Sequence, residues 1–177
     1  MLIDLCGDLP AALGVPEPDG PGIAEWLRRG ATIRGPVPVI DAGPGLRLVP
    51  RGRGPLRPVV LEGLRDHGEV VIDAGVVDDA AAPRAFAVGS ADHSLLVLRP
   101  CYLALRRAVR VGIRPHGIVL VAEPGRALSA HDVASVLGAP VVAQVPVDPA
   151  VSRAVDAGLL VPRCPSVLTH SLEGSTP

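Results

Sequence analysis

The chain has 177 residues, is 48% apolar and carries a formal net charge of −1, which excludes a disordered or strongly polyelectrolyte protein and fits one domain burying about 70% of its unfolded surface. No apolar run approaches the roughly 20 residues of a membrane helix, and no basic stretch leads into an apolar one at the amino end, so a cytoplasmic protein without a secretory leader is expected. All 17 basic residues are arginine, with no lysine or asparagine anywhere, so chemistry that needs a lysine of this chain is ruled out.

Residues 2–5, "LIDL", form an apolar run of the kind found in a buried strand, and "CGDLPAALG" follows as a loop and a helix. "PGIAEWLRRG" predicts a helix with Pro21 near its start, Ile23, Trp26 and Leu27 on one face, and Gly30 as its stop. The Gly/Pro-rich stretch 31–45 is expected to be a loop, and "LRLVP" (46–50) a second strand. "VVLEGLRDHG" predicts a helix through Val60, Leu61 and Leu64.

"EVVIDAG" (69–75) and "SLLVLRP" (94–100) are continuous apolar runs, as in strands buried on both faces of a parallel sheet. Between them "APRAFAVGSADHSLL" is expected to be a turn; Asp92, His93 and Ser94 are sequence neighbours that point apart and make no nucleophilic triad. "CYLALRRAVRVG" predicts a helix, "GIVLVAEPG" (117–125) a strand, and "LSAHDVASVLG" a helix with Ser129 as N-cap, Asp132 in capping-box position and Gly138 as stop. "PVVAQVP" (140–146) is the last strand, and "VDPAVSRAVDAG" places Asp148 as N-cap, Pro149 at the first helical position and Gly158 at the end. The organisation expected is one domain over 1–164, with 165–177 as a disordered tail.

Strands alternating with helices imply right-handed crossovers and an α/β fold, a mostly parallel sheet with helices on both faces. Ligands of such sheets sit at the carboxyl ends of the strands. That rule singles out Asp4, Asp73, Arg99, Glu123, and Pro146 with Asp148. The three cysteines, Cys6, Cys101 and Cys164, are far apart and make no zinc-like spacing with the histidines, so they read as small buried residues.

"VVIDAG" has the form of a Walker B strand, whose terminal acid, Asp73, would hold Mg²⁺; a carboxylate stabilising a following helix N-terminus explains the same residue. Asp4 and Asp8 around Gly7 could orient a metal or an attacking water, and Asp8 could equally cap a helix. "VPVDPAV" could wall a nucleotide base, with Pro146 packing and Asp148 accepting from an exocyclic amine, or could be an N-cap with a first-turn proline.

Taken in order, "LIDL-CGDLPAALG", "VVIDAG", "SLLVLRPCYLALRRAV" and "GIVLVAEPGRALSAHDVASVLGAPVVAQVPVDPAVSRAVDAGL" resemble the ParA/MinD/CpaE-like P-loop ATPases of the SIMIBI type, from Met1 to about Pro165. The resemblance implies ATP and Mg²⁺ as cofactors, Asp4 and Asp8 as switch-loop carboxylates in catalysis, Asp73 as the metal-side acid, and Pro146 and Asp148 beside the adenine. It implies a regulatory protein that positions division, partition or secretion machinery, working as a homodimer or as a heteromer with a related ATPase. DNA is the further partner it implies, through Arg106, Arg107, Arg110 and Arg114, which a solvated helix face explains as well. "SVLTHSLEGSTP" has no sustained apolar face, so no membrane anchor is expected.

Family members carry one more strand before "LIDL", leading into a Gly-rich loop ending in G-K-[TS] and a helix. No G-x-x-x-x-G-K-[ST] occurs in these residues, and Cys6 stands where the switch motif often has a second acid. The chain is therefore expected to lack the first βα unit and to be unable to hydrolyse ATP as given. The alternative is a non-catalytic interaction module that keeps the fold and pairs with a full-length relative or secretion partner. Because the phosphate-loop strand runs through the middle of the family's sheet, its neighbours should either close up or stand unpaired.

Overall fold

The computed structural model describes residues 1–28, 37–57, 64, 67–76, 78 and 83–173. The elements of the described residues run in the order β1 (Leu2–Asp4), α1 (Leu9–Leu13), α2 (Ile23–Arg28), β2 (Ile40–Gly43), β3 (Leu46–Val49), β4 (Val71–Asp73), α3 (Pro83–Ser90), β5 (Leu95–Leu98), α4 (Tyr102–Val111), β6 (Gly117–Ala122), α5 (Ala130–Leu137), β7 (Val141–Pro146), α6 (Pro149–Asp156) and α7 (Ser166–Leu172), alternating strictly from α3 to α6. Among the described residues no helix is long and apolar enough to cross a membrane. The predicted Gly30 stop, and nearly all of the helix predicted over "VVLEGLRDHG", lie outside the described residues.

The strands form two sheets. The first runs β2-β3-β1-β4 and the second β5-β6-β7. All pairings are parallel except β2 with β3. In the first sheet β1 is central, with Leu2 opposite both Leu48 and Val71, and Asp4 opposite Asp73. Each sheet has its own core. Ile3, Leu5, Ile23, Trp26, Leu27 and Val49 pack together around the first. Leu98, Leu105, Ile118, Leu120 and Val133 pack between the second sheet and helices α4 and α5.

Local signals set most boundaries. Ser129 and Asp132 form the expected capping box, with Ser129 N–H donating to Asp132 Oδ2 at 2.8 Å and Asp132 N–H donating to Ser129 Oγ at 3.2 Å. Gly138 closes α5 in the left-handed conformation. Asp148 caps α6, its Oδ1 accepting from Ala150 N–H at 2.7 Å, with Pro149 in the first turn. Asp8 precedes α1 without any side-chain cap bond.

Three expectations need correction. The stretch 31–45 is not all loop: β2 pairs with β3 as a hairpin, bulged between Asp41 and Gly43, with Pro38 and Pro44 just outside the strand. The segment before β5 contains α3 rather than only a turn. The tail from Pro165 carries α7, which packs on β7; tertiary contact supplies the order that its sequence period does not. The gap between β4 and β5, edge strands of different sheets, is by contrast one of the two arrangements expected: they stand unpaired with each other rather than close up.

Candidate functional site

Every residue singled out by the strand-end rule stands at a carboxyl end: Asp4 closes β1, Asp73 closes β4, Arg99 follows β5, Glu123 follows β6, and Pro146 closes β7 with Asp148 just beyond. They form three groups rather than one.

The first group is built on β1 and β4. Asp4 is fully buried, and its carboxylate gathers the loop that follows it. Oδ1 accepts from Cys6 N–H at 2.8 Å and Gly7 N–H at 2.7 Å, and Oδ2 accepts from Leu9 N–H at 3.1 Å. Gly7, at φ +97°, supplies the backbone turn that lets three donors converge. A carboxylate offers about four acceptor positions, so Asp4 is largely committed to its own loop. Asp8 lies in that loop but points to solvent.

Asp73 is less committed. Its Oδ1 accepts from Gly75 N–H at 2.8 Å, an Asx-type turn closing the strand. Gly75 has φ +60°, and a Cβ there would meet Cys6 Sγ at 1.7 Å, so the "DAG" turn passes directly against the Cys6 thiol. Arg84, from the start of α3, donates from Nη1 to Cys6 Sγ at 3.4 Å. Burial, then the Asp73 charge, push the Cys6 thiol above its ordinary value, with Arg84 opposing them. The first group is thus Asp4, Asp73, Cys6 and Arg84. Sequence reasoning missed Arg84, because only the crossover through α3 brings it to a thiol 78 positions away.

The second group is ionic. Glu123 pairs with Arg99 at 3.1 Å and also with Arg126. The third is Pro146, exposed at the end of β7, and Asp148, spent as a helix cap. No hydrogen bond or ion pair joins either group to Asp4 or Asp73 among the described residues.

This donor set fits ATP and Mg²⁺ only in part. Asp73 retains an oxygen able to face a metal, but no group of three or more His, Cys, Asp or Glu side chains could hold one among the described residues. The sequence offers neither a lysine nor a G-K-[ST] loop to cradle phosphates, so no hydrolytic step is derived from these residues.

The architecture is that of the doubly wound α/β class, mostly parallel strands with helices on the faces. Within that class the fold is ParA/MinD-like. The chain is similar to the MinD cell division protein of Aquifex aeolicus, with a TM-score of 0.70 and 18% identity over 98% of this chain and 80% of that one. It is likewise similar to the MinC:MinD cell division protein complex of Aquifex aeolicus (TM-score 0.69, 19% identity, 98% and 80% covered). A ParA family ATPase from Chlorobium tepidum TLS gives a TM-score of 0.68 at 18% identity, with 97% and 82% covered. No protein-family model and no curated protein matches the chain by sequence.

Proposed function

We propose that the chain is a nucleotide-responsive regulatory protein of the ParA/MinD kind, serving the positioning of division, partition or secretion machinery, and that these residues alone do not turn over ATP. The observation that carries this reading is the pairing of Asp4 with Asp73 at the carboxyl ends of adjacent parallel strands in a MinD-like fold. In it Asp73 is the metal-side acid, Asp4 and Asp8 belong to the switch loop, and Pro146 and Asp148 lie on the base side. ATP with Mg²⁺ is the cofactor pair, and the working form is a homodimer or a heteromer with a related ATPase. Of the structural neighbours, one is itself a complex of MinC with MinD, which supports partner binding as the output.

Calorimetry with MgATP tests it. Binding tighter than about 1 mM, near −4 kcal/mol, that weakens in Asp73→Asn is expected, without turnover. Absence of heat at millimolar MgATP overturns nucleotide binding, and turnover abolished by Asp73→Asn overturns the non-hydrolytic reading.

A second reading, a non-catalytic interaction module, is favoured by Asp4. Its oxygens serve three backbone donors and leave little for a metal or water. Nucleotide binding that depends on Asp73 would remove it.

A further inference from the structure

Two arginines bracket the loop that joins β1 to α1. Arg51 follows β3, and Arg84 lies in the first turn of α3, the helix after β4; β3 and β4 are the two neighbours of β1. The Arg51 side chain lies against Gly7, where a Cβ would meet its Cδ at 3.5 Å. Arg84 reaches the same loop from the other side. Its Nη1 donates to Cys6 Sγ at 3.4 Å and stands 3.4 Å from the place a Cβ of Gly75 would take. Consecutive residues of one loop, Cys6 and Gly7, are thus each touched by an arginine from an opposite side of β1.

Neither arginine is matched by an acid. A guanidinium carries five N–H donors, and a thiol is a weak acceptor. Among the described residues Arg84 donates to the Cys6 thiol and Arg51 to Gly52 C=O at 3.2 Å, and no ion pair joins either to Asp4 or Asp73. Arg99 and Arg126, at the same edge of the second sheet, instead share Glu123. Arg51 and Arg84 are both half-buried, so each gives up hydration without a counter-charge in contact. The Asp4 carboxylate is fully buried and met by three N–H donors of its own loop, which leaves two guanidiniums at this edge against Asp73 alone.

We infer that the carboxyl edge over the β1–α1 loop is a binding site for a phosphate group, gripped by Arg51 and Arg84, with the uncommitted oxygen of Asp73 on the Mg²⁺ that accompanies it. The planar guanidinium fork matches phosphate oxygens in pairs, and ligands of parallel sheets sit at this end of the strands. The class of ligand is a phosphate ester or anhydride carrying Mg²⁺, either a nucleotide or an inorganic polyphosphate. The inference shares an edge with the nucleotide reading but names residues that reading leaves out, and the two can fail separately.

Calorimetry on the 177-residue chain with magnesium pyrophosphate, MgATP and, as a plain dicarboxylate, malonate tests it. Saturable binding of magnesium pyrophosphate is expected, about tenfold weaker in Arg84→Gln and in Arg51→Gln and unchanged in Arg163→Gln, an exposed arginine elsewhere. Urea midpoints establish that each variant is folded. A second measurement needs no variant: magnesium pyrophosphate should slow iodoacetamide labelling of Cys6 several-fold and leave exposed Cys164 alone, whereas malonate slows neither. Affinity retained in either Arg84→Gln or Arg51→Gln overturns the inference, as does an equal loss in Arg163→Gln or equal protection of Cys6 by malonate. MgATP binding that ignores both substitutions keeps the nucleotide reading and removes this one. Pyrophosphate binding lost in both variants, with no heat from MgATP, keeps this one and removes the nucleotide reading.

Discussion

Replacing Asp4 by Asn separates a scaffold from a reactive group. The carboxylate is fully buried and takes three backbone donors, at 2.8, 2.7 and 3.1 Å. Hydrogen bonds to a charged acceptor contribute about 1.5–3 kcal/mol each, and an unsatisfied buried donor costs about 1–3 kcal/mol. An asparagine keeps one oxygen, enough for Cys6 and Gly7, but turns an amide N–H₂ toward the Leu9 N–H, losing one bond and opposing two donors. The expected loss is about 2–4 kcal/mol, a large part of a total stability of about 5–15 kcal/mol. Urea unfolding of Asp4→Asn beside Asp8→Asn measures it, with hydrogen exchange at Cys6, Gly7 and Leu9 as the local readout. Asp8 is exposed and makes no cap bond, so its change should stay within about 0.5 kcal/mol. If Asp4→Asn were as stable as the parent and exchanged no faster at those amides, the scaffold role would be wrong, and Asp4 would be free for chemistry.

Gly14 ends α1 at φ +72°, where a Cβ would meet Gly158 O at 2.3 Å, whereas Gly138 ends α5 at φ +66° with nothing within 4 Å. Gly138→Ala should therefore cost only the left-handed penalty of about 1–2 kcal/mol, and Gly14→Ala about 1–3 kcal/mol more, by denaturant midpoint. Iodoacetamide labelling at pH 8, followed by mass spectrometry, should modify exposed Cys164 fastest and Cys6 slowest, because burial and Asp73 hold the Cys6 thiol protonated. Gly75→Ala, which drives a methyl against Cys6 Sγ, should raise that slow rate. Burial works against the charge of Glu25, but N–H groups of Gly22, Glu25 and Arg53 outweigh it and hold its carboxyl below 4.5. Its stabilisation is accordingly complete above about pH 4.5 and lost as pH falls through the lowered value, so Glu25→Gln should unfold with a flatter acid limb than the parent.

Much of the fold was legible because its punctuation is local. The apolar runs mark β1, β3, β4, β5, β6 and β7, and Ser129, Gly138, Asp148 and Pro149 bound their helices through neighbours within four positions. What was not legible depends on distant partners. β2 is a strand only because β3 pairs with it, and α7 is a helix without a strong apolar period, packed on β7. The site divides the same way. Strand-end position places Asp4, Asp73, Glu123 and Pro146, but the three donors on Asp4 require the positive φ of Gly7, and Arg84 reaches Cys6 only through the crossover.

The apolar runs carried a further message. "VVID" and "LLVL" read as strands buried on both faces, and the structure exposes their inner edges. Propensity and pattern agree with each other there and disagree with the environment, since no described strand pairs with either inner edge. The division into two cores has the same origin: Ile3, Leu5 and Val49 never meet Ile118 and Leu120 in one cluster, because β4 and β5 do not pair. Elements of the two halves meet where α1 packs on α6, with Gly14 against Gly158, and where Gly43 faces Val161.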